Sequence, residues 1–234
     1  MSKLQDAYED WAEEWKPRQG ENHPNSYDAF EAGWMAALIP QEYGGSGLGL
    51  LEASVIMEEI NRCGGNSGAC HGQMYNMGTL LRHGSEVQKK MYLPKIASGE
   101  LRLQSMAVTE PTTGTDTTKL KTTAIKKGDK YIVNGQKVWT TLAHNAHYGL
   151  IIARHDPNAA KHLGITAFMV DMHAPGVDVR PLYQITGEAE FNECFFNDTR
   201  VPDAMRLGSI GEGWRVSLTT LMNERVSIGG TVPS

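Results

Sequence analysis

Cysteine is scarce in this 234-residue chain: Cys63, Cys70 and Cys194 make an odd total with no C-x-x-C spacing, so neither a disulfide framework nor a cysteine zinc site has a foothold. Basic excess is missing too. Lys and Arg number 22 against 27 Asp and Glu, which excludes the phosphate-neutralising face that supplies most non-specific nucleic-acid affinity. No apolar run approaches the ~18 residues of a membrane-spanning helix. The opening MSKLQDAYEDWAEEW mixes both charge signs and carries neither an apolar leader core nor an Arg/Ser-rich, acid-poor pattern. Together these absences predict a soluble, cytoplasmic, thiol-reduced protein with no nucleic-acid or membrane partner. At about 150 residues per domain, the length accommodates one or two domains with a sizeable core.

Up to about residue 100 the apolar spacing is helical. In LEASVIMEEINR, Val55, Ile56 and Ile60 fall on one face and Glu and Arg on the other, the pattern of an amphipathic helix. Ser85 and Gln88 have capping-box spacing and predict the start of another helix. The glycine-rich stretches YGGSGLG and CGGNSGAC punctuate the helices, and ASGE at residues 97–100 marks a stop.

From residue 103 the rhythm shifts to eight short β-rich runs: LQSMAVT, LKTTAIKK, KYIV, QKVWTT, YGLIIAR, ITAFMVDM, VDVRPLY and FNECFF. They predict a barrel or sandwich. Asn134-Gly135, between KYIV and QKVW, predicts a two-residue hairpin turn. The lysines at 119, 121, 126, 127 and 130 read as a solvated, aggregation-resistant sheet edge. The last segment, EGWRVSLTTLMNERVSIGG, returns to helical spacing. Trp214, Leu218 and Leu221 cluster on one stripe that includes Arg225, with Glu224 at its edge. A charge pair on a buried face must be satisfied there.

Several motifs fail on their own terms. YGGSGLG lacks the G-x-G-x-x-G spacing and the Lys-Ser/Thr ending of phosphate loops, and reads as a plain glycine loop. His144 and His147 lie at a strand end with no carboxylate ligands around them, so no metal site is expected. No G-x-S-x-G elbow is present for a hydrolase triad. Two stretches hold more: MAVTEPTTGTD (106–116) and VWTT (138–141) concentrate hydroxyls and a tryptophan at strand ends. Such groups offer hydrogen-bond donors and a stacking face, or form an ordinary Thr-rich turn and a core Trp.

In order and company, these stretches resemble the acyl-CoA dehydrogenase family from residue 33 onward. AALIPQEYGGSGLG resembles the family's IP-x-EYGG segment, YLPKIASGE its YLPKL-x-SGE helix end, MAVTEPTTGTD its TEP-x-x-GSD motif and NGQKVWTT its NG-x-K-x-WIT motif. FFNDTRVPD and LGSIGEGW look like its barrel exit, and LMNERV like the first long helix of its C-terminal domain. The resemblance implies an α+β multidomain chain. An N-terminal helical domain would occupy residues 1–102, a middle β-barrel domain 103–209, and the start of a C-terminal helical domain 210–234, with most of that last domain missing. Residues 1–30 align poorly.

By the same resemblance the cofactor is FAD. Met106, Ala107, Val108, Thr109, Gly114 and Thr115 line the flavin and pyrophosphate, with Thr109 near the pyrimidine edge, and Thr115, where the family has Ser, reaches both FAD and acyl-CoA. Trp139 covers a flavin face, Thr141 hydrogen-bonds at flavin N5, and Thr140 replaces the family's isoleucine. The implied reaction is α,β-desaturation of an acyl-CoA thioester in lipid metabolism, as in fatty acid β-oxidation. A carboxylate takes the α-proton as hydride leaves the β carbon. In the isovaleryl-CoA and long-chain branches the base precedes the arginine matching Arg225, which is Glu224 here, and both would meet substrate. The alternatives are that the Glu224-Arg225 pair forms an N-terminal-domain salt bridge anchoring the helix, or that the base sits in sequence beyond this chain. The family further implies an electron-transfer flavoprotein as acceptor and a homo- or hetero-oligomer. A non-catalytic partner subunit of a heteromeric dehydrogenase, or a same-fold flavin oxidase or monooxygenase, would share the fold.

Overall fold

The computed structural model describes residues 33–62 and 67–229. The expectations for residues 1–32, and the first half of CGGNSGAC, lie outside them. Helix α1 (Leu50–Arg62) buries Ala53, Ile56, Met57 and Ile60, an i, i+3, i+4, i+7 set. Val55, expected on that face, is exposed because at 100° per residue it points to the side of the helix opposite the buried stripe. Before α1, YGGSGLG forms a tight turn after a short 3-10 helix, Gln41–Tyr43. Gly44 takes a positive φ of 84°, and a side chain at Gly45 would collide with Ile39.

Helix α2 (Gly68–His83) ends against α3 (Glu86–Ala97), where the capping box forms as expected: Gln88 N–H donates to Ser85 Oγ at 3.2 Å, and Ser85 N–H to Gln88 Oε1 at 2.7 Å. The remaining Gln88 amide donates to the carbonyls of Ala204 and Arg206, tying the helix start to the far end of the sheet.

Eight strands follow: β1 (Leu103–Ala107), β2 (Thr123–Lys127), β3 (Lys130–Thr141), β4 (Tyr148–Arg154), β5 (Ile165–Asp171), β6 (Val177–Leu182), β7 (Phe191–Pro202) and β8 (Arg206–Leu207). They form one sheet in the order β6-β7-β3-β2-β4-β5-β8, with β1 parallel to β4. The sheet curls. Tyr131 of β3 and Phe168 of β5 stack at 4.7 Å, although a flat sheet would hold strands three steps apart by about 14 Å. The central β4 is buried on both faces. Leu150 and Ile152 join the core under the helices, and Ile151 and Ala153 join the interior core with Val133, Phe168, Cys194 and Phe196.

The expected Asn134-Gly135 hairpin is not formed. KYIV and QKVWTT are one continuous strand, β3, and the chain reverses instead at Gly128-Asp129, where Lys127 pairs with Lys130. Asn134-Gly135 makes a bulge against β7. The register slips between Val133 and Gly135, and Asn134 exchanges side-chain hydrogen bonds with Asp198. Gly135 has φ +151° and lies so close to Thr122 that a side chain would clash there. A positive-φ dipeptide serves a bulge as well as a turn, and the competing KGDK supplied the turn. FNECFF likewise runs on to Pro202, and β8 is the eighth strand. β2 is not at the sheet's end, but it meets β4 only at Thr123↔Arg154. Its lysine-bearing half therefore pairs with β3 alone and stays exposed.

Helix α4 (Gly213–Gly229) corrects the stripe drawn from its apolar residues. Leu218 is 43% and Met222 55% exposed, and Arg225 is exposed beside them. The buried face is Val216, Ser217, Thr219 and Thr220. Thr219 and Thr220 donate to the carbonyls of Arg215 and Val216, Thr220 Oγ1 meets Thr79 Oγ1 at 2.7 Å, and Thr219 Oγ1 meets His83 Nε2 at 2.8 Å. Satisfied hydroxyls bury at little cost, and hydrophobicity alone does not see them.

Candidate active site

Residues 106–116 and 138–141 come together at one end of β1 and β3. The Val138 N–H donates to the Thr109 carbonyl at 2.9 Å, joining the two segments outside the ladder. Immediately afterwards the register against β7 slips between Lys137 and Thr140, and Trp139 adopts φ +60°, a conformation costly for a bulky residue. The strain turns the indole outward. Trp139 is 60% exposed and meets Phe191 edge-on (centroids 6.0 Å apart, 79° between planes).

Around this indole the half-buried Thr109 and Thr141 and the exposed Gly114 and Thr115 stand open; a Cβ built on Gly114 would meet only the Thr109 methyl. The side chains of Ala107 and Val108 instead point into the two cores, so these residues can offer a ligand only backbone. Met106 packs half-buried on the helical core. Thr140 is fully buried and pairs with Asn192 across the β3–β7 ladder, just past the slip. A strained, displayed aromatic face flanked by threonines fits a planar, hydrogen-bonding ring system such as a flavin.

Below both segments lies a pair that sequence reasoning missed. Lys137 is fully buried and Glu110 nearly so, their side chains 2.9 Å apart. The ammonium also donates to the Val108 carbonyl, and the Glu110 carboxylate accepts from Lys121 N–H (2.6 Å) and Thr122 N–H (2.9 Å). Burial pushes the Lys137 ammonium down to about 8, against the pull of Glu110. Burial alone would raise the Glu110 carboxyl, but Lys137 and the two N–H donors outweigh it and hold it below the usual carboxylate value.

Glu224 extends the buried line Gly213–Ser217–Thr220 by one turn, and is half-buried. Its carbonyl lies 3.2 Å from His71 Nε2 on α2. Its charge, after burial, helps to push up the phenol of Tyr75, which stacks edge-on to His71 at 5.1 Å. His71 and Tyr75 were likewise not singled out from sequence. α2 in turn rests on β1: a Cβ on Gly72 would come 2.9 Å from the Gln104 carbonyl. A cavity of about 290 Å³ opens between α1, α2 and α4, walled by Met57, Met74, Tyr75, Leu81 and Asn223, the residue before Glu224. His144 bonds Asn192, His147 accepts the Arg102 N–H, and no group of three metal-ligating side chains occurs among the described residues.

Residues 3–100 match the family model described as acyl-CoA dehydrogenase, N-terminal domain, and residues 105–199 match acyl-CoA dehydrogenase, middle domain. The chain belongs to the acyl-CoA dehydrogenase family. It is 45% identical over 190 residues to acyl-CoA dehydrogenase FadE29 of Mycobacterium tuberculosis, covering 81% of this chain and 49% of that protein. It is 38% identical over 203 residues to mitochondrial isovaleryl-CoA dehydrogenase of Pongo abelii, covering 85% and 48%. The solved ChsE4-ChsE5 complex from Mycobacterium tuberculosis superposes with a TM-score of 0.82 at 30% identity, over 95% of this chain and 60% of that one. The chain spans about half the length of these two curated relatives.

Proposed function

We propose that this chain carries the flavin face and the proton-abstracting helix of an FAD-dependent acyl-CoA dehydrogenase that desaturates an acyl-CoA thioester between its α and β carbons. The observation that carries the reading is the outward Trp139 indole, strained into place beside Thr109 and Thr141. FAD, when bound, supplies the hydride acceptor. Trp139, Thr109 and Thr141 would hold the flavin ring, Met106, Ala107 and Val108 would line it mainly through backbone, and Gly114 and Thr115 would line the pyrophosphate, Thr115 also reaching the thioester. Thr140 supports Trp139 and Thr141 from below. Glu224 takes the α-proton at its carboxylate, and exposed Arg225 orients the substrate. The apolar cavity next to Asn223 has room for an acyl tail. The proposed division of labour follows the sequence: a helical unit to about residue 102, a β unit to about 209, then the first C-terminal helix.

A cytoplasmic setting, a place in fatty acid β-oxidation, an electron-transfer flavoprotein acceptor and a homo- or hetero-oligomer complete the reading. A second reading, a non-catalytic subunit of a heteromeric dehydrogenase, draws support from exposed Leu218 and Met222 on α4 and from the likeness to a two-component complex. Reconstitution separates flavin binding from other roles. The purified chain, titrated with FAD, quenches flavin fluorescence, and Trp139→Ala weakens that binding by about tenfold or more. Equal affinity in the variant contradicts the placement of the flavin.

A further inference from the structure

Ion pairs such as Lys119–Asp116 and Arg180–Asp178 lie in solvent, but Glu110–Lys137 is buried on both sides. A buried pair contributes little net stability compared with apolar residues of the same volume, yet its geometry is specific. Here four hydrogen bonds, the pair's own among them, tie three stretches of chain together. Lys137 Nζ holds the Val108 carbonyl and Glu110 Oε1, while Glu110 holds the N–H groups of Lys121 and Thr122. Thr109 lies between two tied residues, and its carbonyl receives Val138 N–H, the residue between Lys137 and Trp139. The separation between the threonine and the displayed indole is therefore set by the pair and by one backbone bond.

We propose that Glu110 and Lys137 are positioning residues for the flavin site: they fix the 106–116 segment against the 138–141 strand end so that Thr109 and Trp139 meet one ring system at a preset spacing. The inference rests on the flavin reading above. Apolar side chains could fill the same space, but they would not draw the two segments to a single distance.

The test compares the parent chain with the double variant Glu110→Gln/Lys137→Met, which removes both charges at similar volume. Three quantities are read: the melting temperature, the FAD dissociation constant from flavin fluorescence, and amide hydrogen exchange of the apoprotein. The double variant is expected to melt near the parent, to bind FAD about tenfold or more weakly, and to exchange faster in 106–116 and 138–141 only. Parental FAD affinity with parental exchange in both segments would overturn the proposal. If the double variant does not fold, Lys137→Arg, which keeps the charge and changes the reach, decides by the same two readouts: weaker FAD binding with faster local exchange supports the proposal, and parental values overturn it. A parent chain that takes up no FAD sinks the flavin reading by itself. Apoprotein exchange then decides the pair alone, and unchanged protection in both segments overturns it.

Discussion

At the scale of single residues, the two charged positions that matter most behave differently. Glu110 has its pKa lowered on folding. Its contribution is therefore present above the unfolded glutamate value of about 4.3 and is lost as pH falls through the lower folded value. Glu110→Gln should cost about 3–5 kcal/mol at neutral pH by stranding the Lys137 charge, and should flatten the decline of stability below about pH 4.3. Urea unfolding across pH 3–7 reads both, and a parental acid slope in the variant would count against the pair. Glu224→Gln should leave FAD affinity unchanged while slowing acyl-CoA-dependent flavin bleaching by about a hundredfold or more, measured by stopped flow. Near-parental bleaching would move the base elsewhere. The two strand-end motifs were legible because each is a short, contiguous cluster of hydroxyls and an aromatic. The Glu110–Lys137 pair was not, because its members lie 27 residues apart and nothing local tells a buried lysine from a surface one. The signal was present only as opposite charges inside both motifs.

At the scale of elements, legibility followed sequence separation and polarity. The Ser85–Gln88 box forms within one turn and could be read directly; Ser85→Ala should cost about 0.5–2 kcal/mol, seen as a lower urea midpoint with an unchanged slope. The change from helical to β rhythm at residue 103 matches the first residue of β1. The Asn134-Gly135 bulge escaped because the same backbone preference serves a turn, and only pairing with β7, some sixty residues on, decides between them. Gly135→Ala should destabilise by more than about 1 kcal/mol, since φ +151° and the Thr122 contact both penalise a Cβ. A neutral Gly135→Ala in chemical denaturation would contradict the bulge. In α4 the buried face is built of serine and threonine, so an apolar stripe drawn from the sequence picked the outward side. That correction places Glu224, not Arg225, toward α2.

For the described residues, the helices and the curled sheet share one boundary, along β1, β4 and β5. The displayed indole, the apolar cavity and Glu224 are all carried by elements that pack on that boundary. The fold class was legible from six ordered motifs. The opposition of two distant segments, which turns motifs into a site, required the Val138–Thr109 backbone bond and the buried Glu110–Lys137 pair. The most direct test is an anaerobic titration of the FAD-loaded chain with acyl-CoA thioesters of graded length and branching, following the flavin's visible absorbance. The account predicts bleaching by at least one thioester, with formation of the α,β-unsaturated product. A chain that holds FAD and is bleached by none of them would contradict the dehydrogenase reading and leave the partner-subunit reading standing.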